Sequence, residues 1–447
     1  MKLITSTLCV LALVGLSVPA RAALVVPGTT GPGANSDGEL SITADTVIDL
    51  SKATTGTWDQ NNTANQGNGV YDPQKWAVVF KYTSVNVLAG KTLTFKNHAT
   101  RAPVVWLVSG NVTIAGKVNL SGESVGPYFN PVQSPLGAKV CEPGPGGFRG
   151  GSGYRGGNIL HAGGFGPGGG TAAEGSDSTG GGYGEDAPDR NGYRGGKKYG
   201  NPSLIPLLGG SGGGGEKWNN DGFSGGGGGG AILVACSGKI NFITGSSLIA
   251  LGGNGEPSRS GGGSGGGIRL VCDELVGEGN ISAAGGSGGN GMAVGGSGRI
   301  RLERVLNTAV LTINPAPSTI DLTSGTTPVI WPPENSPDAR IVAVNGIAPA
   351  SDPKAAFGAY SPDVALPLVS GVSVIVETIN VEKASSVIVR ATPRNGTTVA
   401  QSQVTYATEV NATITEVVSE TPLKLRWEAT VPTLPGYSAI QARIVRP

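Results

Sequence analysis

The chain has 447 residues, of which 77 are glycine and 14% are charged, against usual shares of about 7% and about 25% in globular proteins. Its 32 basic and 31 acidic residues nearly cancel, which excludes the basic footprint of a nucleic-acid binder or of a protein held on anionic membranes. The length is enough for two domains with cores of their own.

Residues 1–22 read as a secretory signal peptide. Lys2 precedes an apolar run from Leu8 to Val18, and Ala20-Arg21-Ala22 supplies small residues around a cleavage point. That run is too short to span a membrane, and no later stretch approaches a transmembrane helix. The expected product is a soluble exported protein beginning at Ala23, secreted, periplasmic or at the cell surface. Loss of Lys2 and Arg21 leaves 30 basic against 31 acidic residues, a net charge of −1. Cys141, Cys236 and Cys272 remain, and an odd number leaves at least one unpaired within the chain.

Residues 23–125 and 226–310 share a repeat. Setting "VVWLVSGNVTIAGKVNLSG" from Val104 above "ILVACSGKINFITGSSLIALGG" from Ile232 places Val104, Trp106 and Val108 on Ile232, Val234 and Cys236. Val112 and Ile114 then fall on Ile240 and Phe242, and Val118 on Leu248. Further copies start at Ile268 and Ile300, and "VVFKYTSVNVLAGK" before residue 92 is an earlier one. Each copy holds two or three short strands with apolar residues alternating, the period of a strand and not of a helix. Such copies, stacked coil on coil, predict a parallel β-solenoid, because one coil alone cannot bury its inward row. Glycines are expected at the corners, where a positive φ favours them. Cys236 and Cys272 occupy one inward position of consecutive coils. Their spacing admits either a disulfide or a ladder of two small buried side chains.

Residues 126–225 form a glycine-rich insertion. From Cys141 to Gly230 there are 36 glycines in 90 residues, with no strand alternation. Two states fit this composition: a mobile segment, or extended glycine helices packed closely for want of side chains. Arg149, Tyr154, Arg155, Tyr183, Tyr193, Arg194, Tyr199 and Trp218 stand among the glycines. They are the candidate ligand contacts, since aromatic rings give rigid contact area and Arg gives directed donors.

Residues 311–447 change texture, with six glycines in 137 residues. "RIVAVNGI", "VSVIVETINV", "SSVIVRATP", "AQSQVTYAT", "PLKLRWEATV" and "SAIQARIVRP" alternate in the manner of strands. Their spacing predicts an immunoglobulin-like or fibronectin-III-like β-sandwich.

The phrases "YDPQKWAVVFKY", "TFKNHATRAPVVWLVSGNVTI", "PGPGGFRGG" and "GGGSGGGIRLVCDEL" together resemble a group of uncharacterised, secreted, glycine-rich bacterial proteins. The likeness runs over most of the chain beyond residue 22. It implies the solenoid layout and a sandwich-like C-terminal domain, and carries no activity and no catalytic residues.

No catalytic constellation stands out. Solenoid enzymes acting on polysaccharides set carboxylates on the outer face of adjacent coils. The outward positions here are Val105, Leu107, Leu233, Ala235, Arg269, Val271, Arg301 and Glu303, and the first coils offer no acid. His98 reads as a turn residue bonded to nearby backbone, and His161 as solvated. "GGYGED" at Gly181–Asp186 occurs once, which is too little for a calcium repeat, and no metal site is expected. Glycine strings of GxGxxG type follow no strand and open no helix, so no cofactor is expected. The expectation is an exported structural or adhesive surface or matrix protein. Its partner would be an extracellular glycan or surface protein, not nucleic acid and not a membrane. The alternative is a polysaccharide lyase or glycoside hydrolase on the same scaffold.

Overall fold

The computed structural model describes residues 22–31, 33–60, 65–125, 140–154, 161–174, 176–217, 222–256, 259–291, 293–353, 362–367, 369, 371–394, 407–432 and 436–447. The expected signal peptide lies outside these residues except for Ala22. Among the described residues there is no α-helix; the regular structure is β with short 3-10 turns such as Leu50–Lys52.

The first strands are β1 (Gly38–Ile42), β2 (Thr46–Asp49), β3 (Thr54–Thr55), β4 (Val70–Asp72), β5 (Ala77–Val87), β6 (Thr92–Lys96), β7 (Val104–Val108), β8 (Val112–Ile114) and β9 (Lys117–Asn119). A short parallel pair follows, β10 (Ala173–Glu174) with β11 (Glu216–Lys217). Then come β12 (Ala231–Cys236), β13 (Lys239–Ile249), β14 (Gly267–Ser282), β15 (Arg299–Asn307), β16 (Val310–Asn314) and β17 (Ser318–Asp321). These strands build three parallel ladders. The first runs β5–β7–β12–β14–β15–β17. The second joins β1, β5, β8, β13, β14 and the end of β15, and the third joins β2, β6, β9, β13, β14 and β16. Because β5, β13 and β14 bend from one ladder into the next, β5, β7, β12, β14, β13 and β8 close a ring of six parallel strands.

Pairing follows the sequence repeat residue by residue. Ile232 pairs with Val104 and with Ile268, and Ile268 with Ile300. Ile240 pairs with Val112, and Leu248 with Val118. The inward rows Phe80–Trp106–Val234–Leu270–Leu302 and Val87–Ile114–Phe242 form one buried core. Each such fully buried side chain contributes roughly 1.5–3 kcal/mol.

The outward row of the first ladder is not a free face. Val105, Leu107, Leu233, Ala235 and Val271 are buried beneath Leu24, Val26 and Ile330, with Trp58 and Trp331 packed alongside. Arg269 and Glu303 lie under the same cover, with Arg269 Nε 2.9 Å from Glu303 Oε1 and Arg269 donating to the carbonyls of Val329 and Ile330. The two residues are 1% and 6% exposed. These positions point out of the ladder core, as the sequence predicts, and are covered by N-terminal and post-ladder segments.

Cys236 and Cys272 are buried thiols, each following the paired residues Ala235 and Val271. Burial raises both, Cys272 to about 12. Thiolate is the nucleophile, so neither is expected to react with a maleimide until denaturant is added. Labelling of either in the native state, followed by mass spectrometry, would contradict their inward placement.

Glycine explains the rest of this half of the molecule. Runs leave the ladders after Asn119, Ile249 and Ser282 and return at Ala231, Gly267 and Arg299. None of the glycines in 222–230, 250–255, 260–266, 283–288 and 293–298 has a positive φ. The corner explanation therefore holds only at bends such as Gly245, φ +89°; the long runs are straight. In Gly225–Gly230 the amides of Gly225 and Gly228 donate to Gly151 and Phe148, those of Gly226 and Gly229 to Gly261 and Ser264, and those of Gly227 and Gly230 to Glu123 and Leu120. Each neighbour is met every third residue, which is the repeat of a polyproline-II helix. Three residues per turn point each amide at a different neighbour, and the segment is bonded on three sides. A Cβ on Gly228 would fall on the Gly210 carbonyl, so only glycine permits this spacing. Segments 141–153, 162–170, 178–184, 195–199 and 209–215 join the same bundle; Gly213, for example, donates to Gly226, and Gly181 to Gly262. Of the two states read from the composition, the described part of 126–225 takes the packed one.

The C-terminal part is one antiparallel sheet. Its strands are β18 (Asp338–Val344), β19 (Gly371–Ile379), β20 (Ser386–Pro393), β21 (Thr408–Glu420), β22 (Leu423–Pro432) and β23 (Ser438–Val445), ordered β18-β19-β22-β21-β20-β23. The two outermost strands touch, so the sheet is nearly closed. Val374, Val376, Val389, Leu425 and Trp427 fill it. Trp427 donates its indole N–H to Thr378 Oγ1 at 2.8 Å, which satisfies the one polar atom of a buried ring. Arg390 ties this sheet to the bundle, donating to the carbonyls of Gly164 and Gly169 while pairing with Glu409 at 3.1 Å.

Candidate functional site

The sequence-predicted contacts do not converge. Tyr183 and Tyr199 sit in a small buried cluster with Leu204, ring centroids 4.8 Å apart. Tyr199 gives its hydroxyl proton to Gly209 and lies 3.0 Å from Ser211 Oγ. These two rings hold the bundle together and present no stacking face. Arg149 is committed to Glu142 at 2.6 Å. Tyr154, Tyr193 and Arg194 reach the surface separately, with Lys217 Nζ 4.9 Å over the Tyr154 ring. Arg155 and Trp218 lie outside the described residues. His161, expected in solvent, is 1% exposed, because the bundle closes around it.

A different group of residues does come together, around the turn Asp72–Trp76. Asp72, only 3% exposed, organises the turn by accepting from the amides of Gln74 at 2.8 Å and Lys75 at 3.2 Å. Its other oxygen accepts the amide of Trp58 at 3.1 Å. This fixes the Trp58 segment beside the turn. Trp58 in turn meets Trp331, with centroids 5.4 Å apart and planes at 57°. Lys75 Nζ lies 6.0 Å from the centre of the Trp331 ring, at the edge of cation–π range. On the other side, Trp76 donates its indole N–H to Thr100 at 3.1 Å. Next to it His98 stacks on Tyr71, centroids 4.2 Å apart. His98 Nδ1 contacts Thr100 Oγ1 at 2.8 Å and accepts the Thr100 amide, the local turn role read from the sequence.

Two features mark this region as more than packing. Trp58, Trp76, Trp331 and His98 are all only half-buried, while Gln74 and Lys75 are exposed. Large rings left half in water are costly unless something else covers them. Trp76 and Arg101 also carry positive φ values, +46° and +55°. Bulky side chains avoid that region, and such strain gathers at working sites. Tyr71 donates to Asp352 Oδ1 at 2.6 Å. Burial, together with that carboxylate, pushes the phenol above its usual range, so Tyr71 stays protonated. It is a poor general base and a good fixed hydrogen-bond donor.

One other polar feature lies elsewhere, where the turns of the glycine bundle meet. Glu216 is 2% exposed and its Oε2 has no hydrogen-bond partner among the described residues. Burial and the nearby Glu256 raise its carboxyl to about 7. Among the described residues, no three His, Cys, Asp or Glu side chains gather to hold a metal ion. No described helix is long and apolar enough to cross a membrane. No family model, curated protein or solved structure matches the chain.

Proposed function

We propose that the protein is an exported adhesive or structural component of a cell surface or extracellular matrix, and that it holds glycan on the face formed by Trp58, Lys75 and Trp331. In this reading the parallel ladders are a β-solenoid, the glycine bundle stiffens it, and the C-terminal sheet is a sandwich-type module. The observation that carries the binding role is the pair of partly exposed tryptophans, Trp58 and Trp331, 5.4 Å apart beside Lys75 on a turn held by a buried aspartate. Indole faces stack on the C–H faces of sugar rings, and Lys75 and Gln74 supply donors beside them. Supporting export are the N-terminal pattern of the sequence and the near-neutral balance of charge.

Intact mature protein on a glycan array is expected to give a defined set of hits. Trp58→Ala and Trp331→Ala should each weaken the best of them by roughly tenfold, about 1.4 kcal/mol. Lys75→Ala, at an exposed position, should weaken binding without changing the melting temperature. An empty array, or hits indifferent to all three changes, would overturn the assignment.

The hydrolase or lyase reading has one observation in its favour: a carboxyl raised to about 7 at Glu216, near Glu256 and Asp177, as a general acid requires. Depolymerisation of uronate-rich or neutral glycans that is lost in Glu216→Gln would replace binding by catalysis.

A further inference from the structure

We propose that copies of this chain associate head to tail by strand addition on the third ladder, the outer edge of β16 in one copy pairing with the outer edge of β2 in the next. This does not depend on the glycan reading. Both strands end the same ladder, at opposite sides: among the described residues β2 pairs only with β6, and β16 only with β14. One inward row runs unbroken through the ladder, from Thr46 to Leu93, Val118, Leu248, Ile281 and Ile313. At both ends that row is only partly covered, by contrast with its centre. Ile48 at one side, and Leu311 and Ile313 at the other, pack on the core but stay half-buried. Beside them Val47 is 62% and Val310 73% exposed.

Single-chain proteins blunt such edges with charge, proline or a bulge. Here β16 reads VLTIN, uncharged and regular in its pairing. The contrast lies within the same chain: β21, with a long exposed stretch, carries two register breaks. The other ladders are closed off differently. β4 lies antiparallel on β5, and the last coil turns Asn307 and Thr319 towards the ends of the inward rows.

A second copy is the occupant that fits. The ladder is parallel, so what extends it must be a strand of the same direction with apolar residues on the same side. A copy displaced along the ladder presents that strand. Register is restricted by parity, since a one-residue slip turns the apolar row outward. Pairing Leu311–Asn314 with Thr46–Asp49 of the next copy sets Ile313 beside Ile48 and Thr312 beside Val47. The two edges differ, so the contact is heterologous and repeats without closing.

Sedimentation velocity of the full mature chain tests this. The expected result is an average mass that climbs with concentration as an open series. Carrying Val47→Asp together with Thr312→Asp, the protein should lose every species heavier than one chain, because each junction then opposes two carboxylates. Val47→Lys with Thr312→Asp should restore the series. Wild-type protein of single-chain mass at all concentrations would overturn the proposal. So would a closed dimer, or association that the paired aspartates leave intact.

Discussion

Gly228→Ala is expected to destabilise the protein by more than about 3 kcal/mol and to send much of it into the insoluble fraction on expression. The new methyl group would land on the Gly210 carbonyl, with the Ser211 amide next to it. Backbone offers no rotamer to move aside, so whole glycine helices must separate. Their separation breaks hydrogen bonds on three sides at once, including Gly228 to Phe148 and Gly210 to Gly229. Gly56→Ala is the matching control. Its methyl would meet the Gln60 side-chain oxygen at 3.3 Å and a Val70 methyl at 3.5 Å, and the flexible Gln60 can give way. That change should stay within about 0.5 kcal/mol of wild type in chemical denaturation. Equal melting of the two variants would mean that the bundle is not close-packed at Gly228.

Glu303→Ala should cost about 3–5 kcal/mol, because it strands a buried guanidinium. Arg269 is 1% exposed and Glu303 is its only carboxylate partner among the described residues. The same change loosens the Val329–Ile330 carbonyls that Arg269 holds. Chymotrypsin should then cut at Trp331 in protein that is otherwise folded. Arg301 Nε also lies 3.2 Å from Glu303 Oε1, so Arg269→Met and Arg301→Met combined with Glu303→Leu remove all the charges of the cluster and should recover most of the loss, since well-packed apolar residues replace buried ion pairs at little cost. If the single variant melts with wild type, the pair is wetter than its surroundings suggest.

How far the sequence foretold these features depended on which force placed them. The inward rows were legible because the hydrophobic effect writes a period of two into the chain. Val104, Ile232, Ile268 and Ile300 could be aligned by eye and are paired in the fold. The cover over the outward row was not legible, since Leu24, Val26 and Ile330 arrive from far along the chain and leave no local signal. Strand β21 was missed for the opposite reason. Most of its residues face water on both sides, so NATITEVVSE shows no clear alternation; the expected run "AQSQVTYAT" lies mostly outside the described residues. In 226–310 glycine was correctly located and, away from bends such as Gly245, wrongly explained: composition cannot separate a residue chosen for its φ from one chosen for its width. The aromatic face could not be seen either. Trp58 and Trp331 are ordinary in their local context and meet only when the 58 segment and the chain beyond the last ladder fold onto the 72–76 turn. The one available hint was that four of the six tryptophans, Trp58, Trp76, Trp331 and Trp427, stood outside both the repeat rows and the glycine-rich segment.

The bundle is made almost wholly of backbone, and this gives the molecule an uneven thermal character. Unfolding an ordinary core exposes apolar area and raises the heat capacity, whereas exposing peptide groups lowers it. A glycine helix with six consecutive glycines, Gly225–Gly230, has mainly peptide groups to expose. Its contribution to the curvature of stability with temperature is therefore small or negative, while the valine-rich ladders and the C-terminal sheet contribute the usual positive amount. Cold weakens what holds the ladders and hardly touches what holds the glycine helices. Cooling is therefore expected to take more stability from the ladders than from the glycine helices.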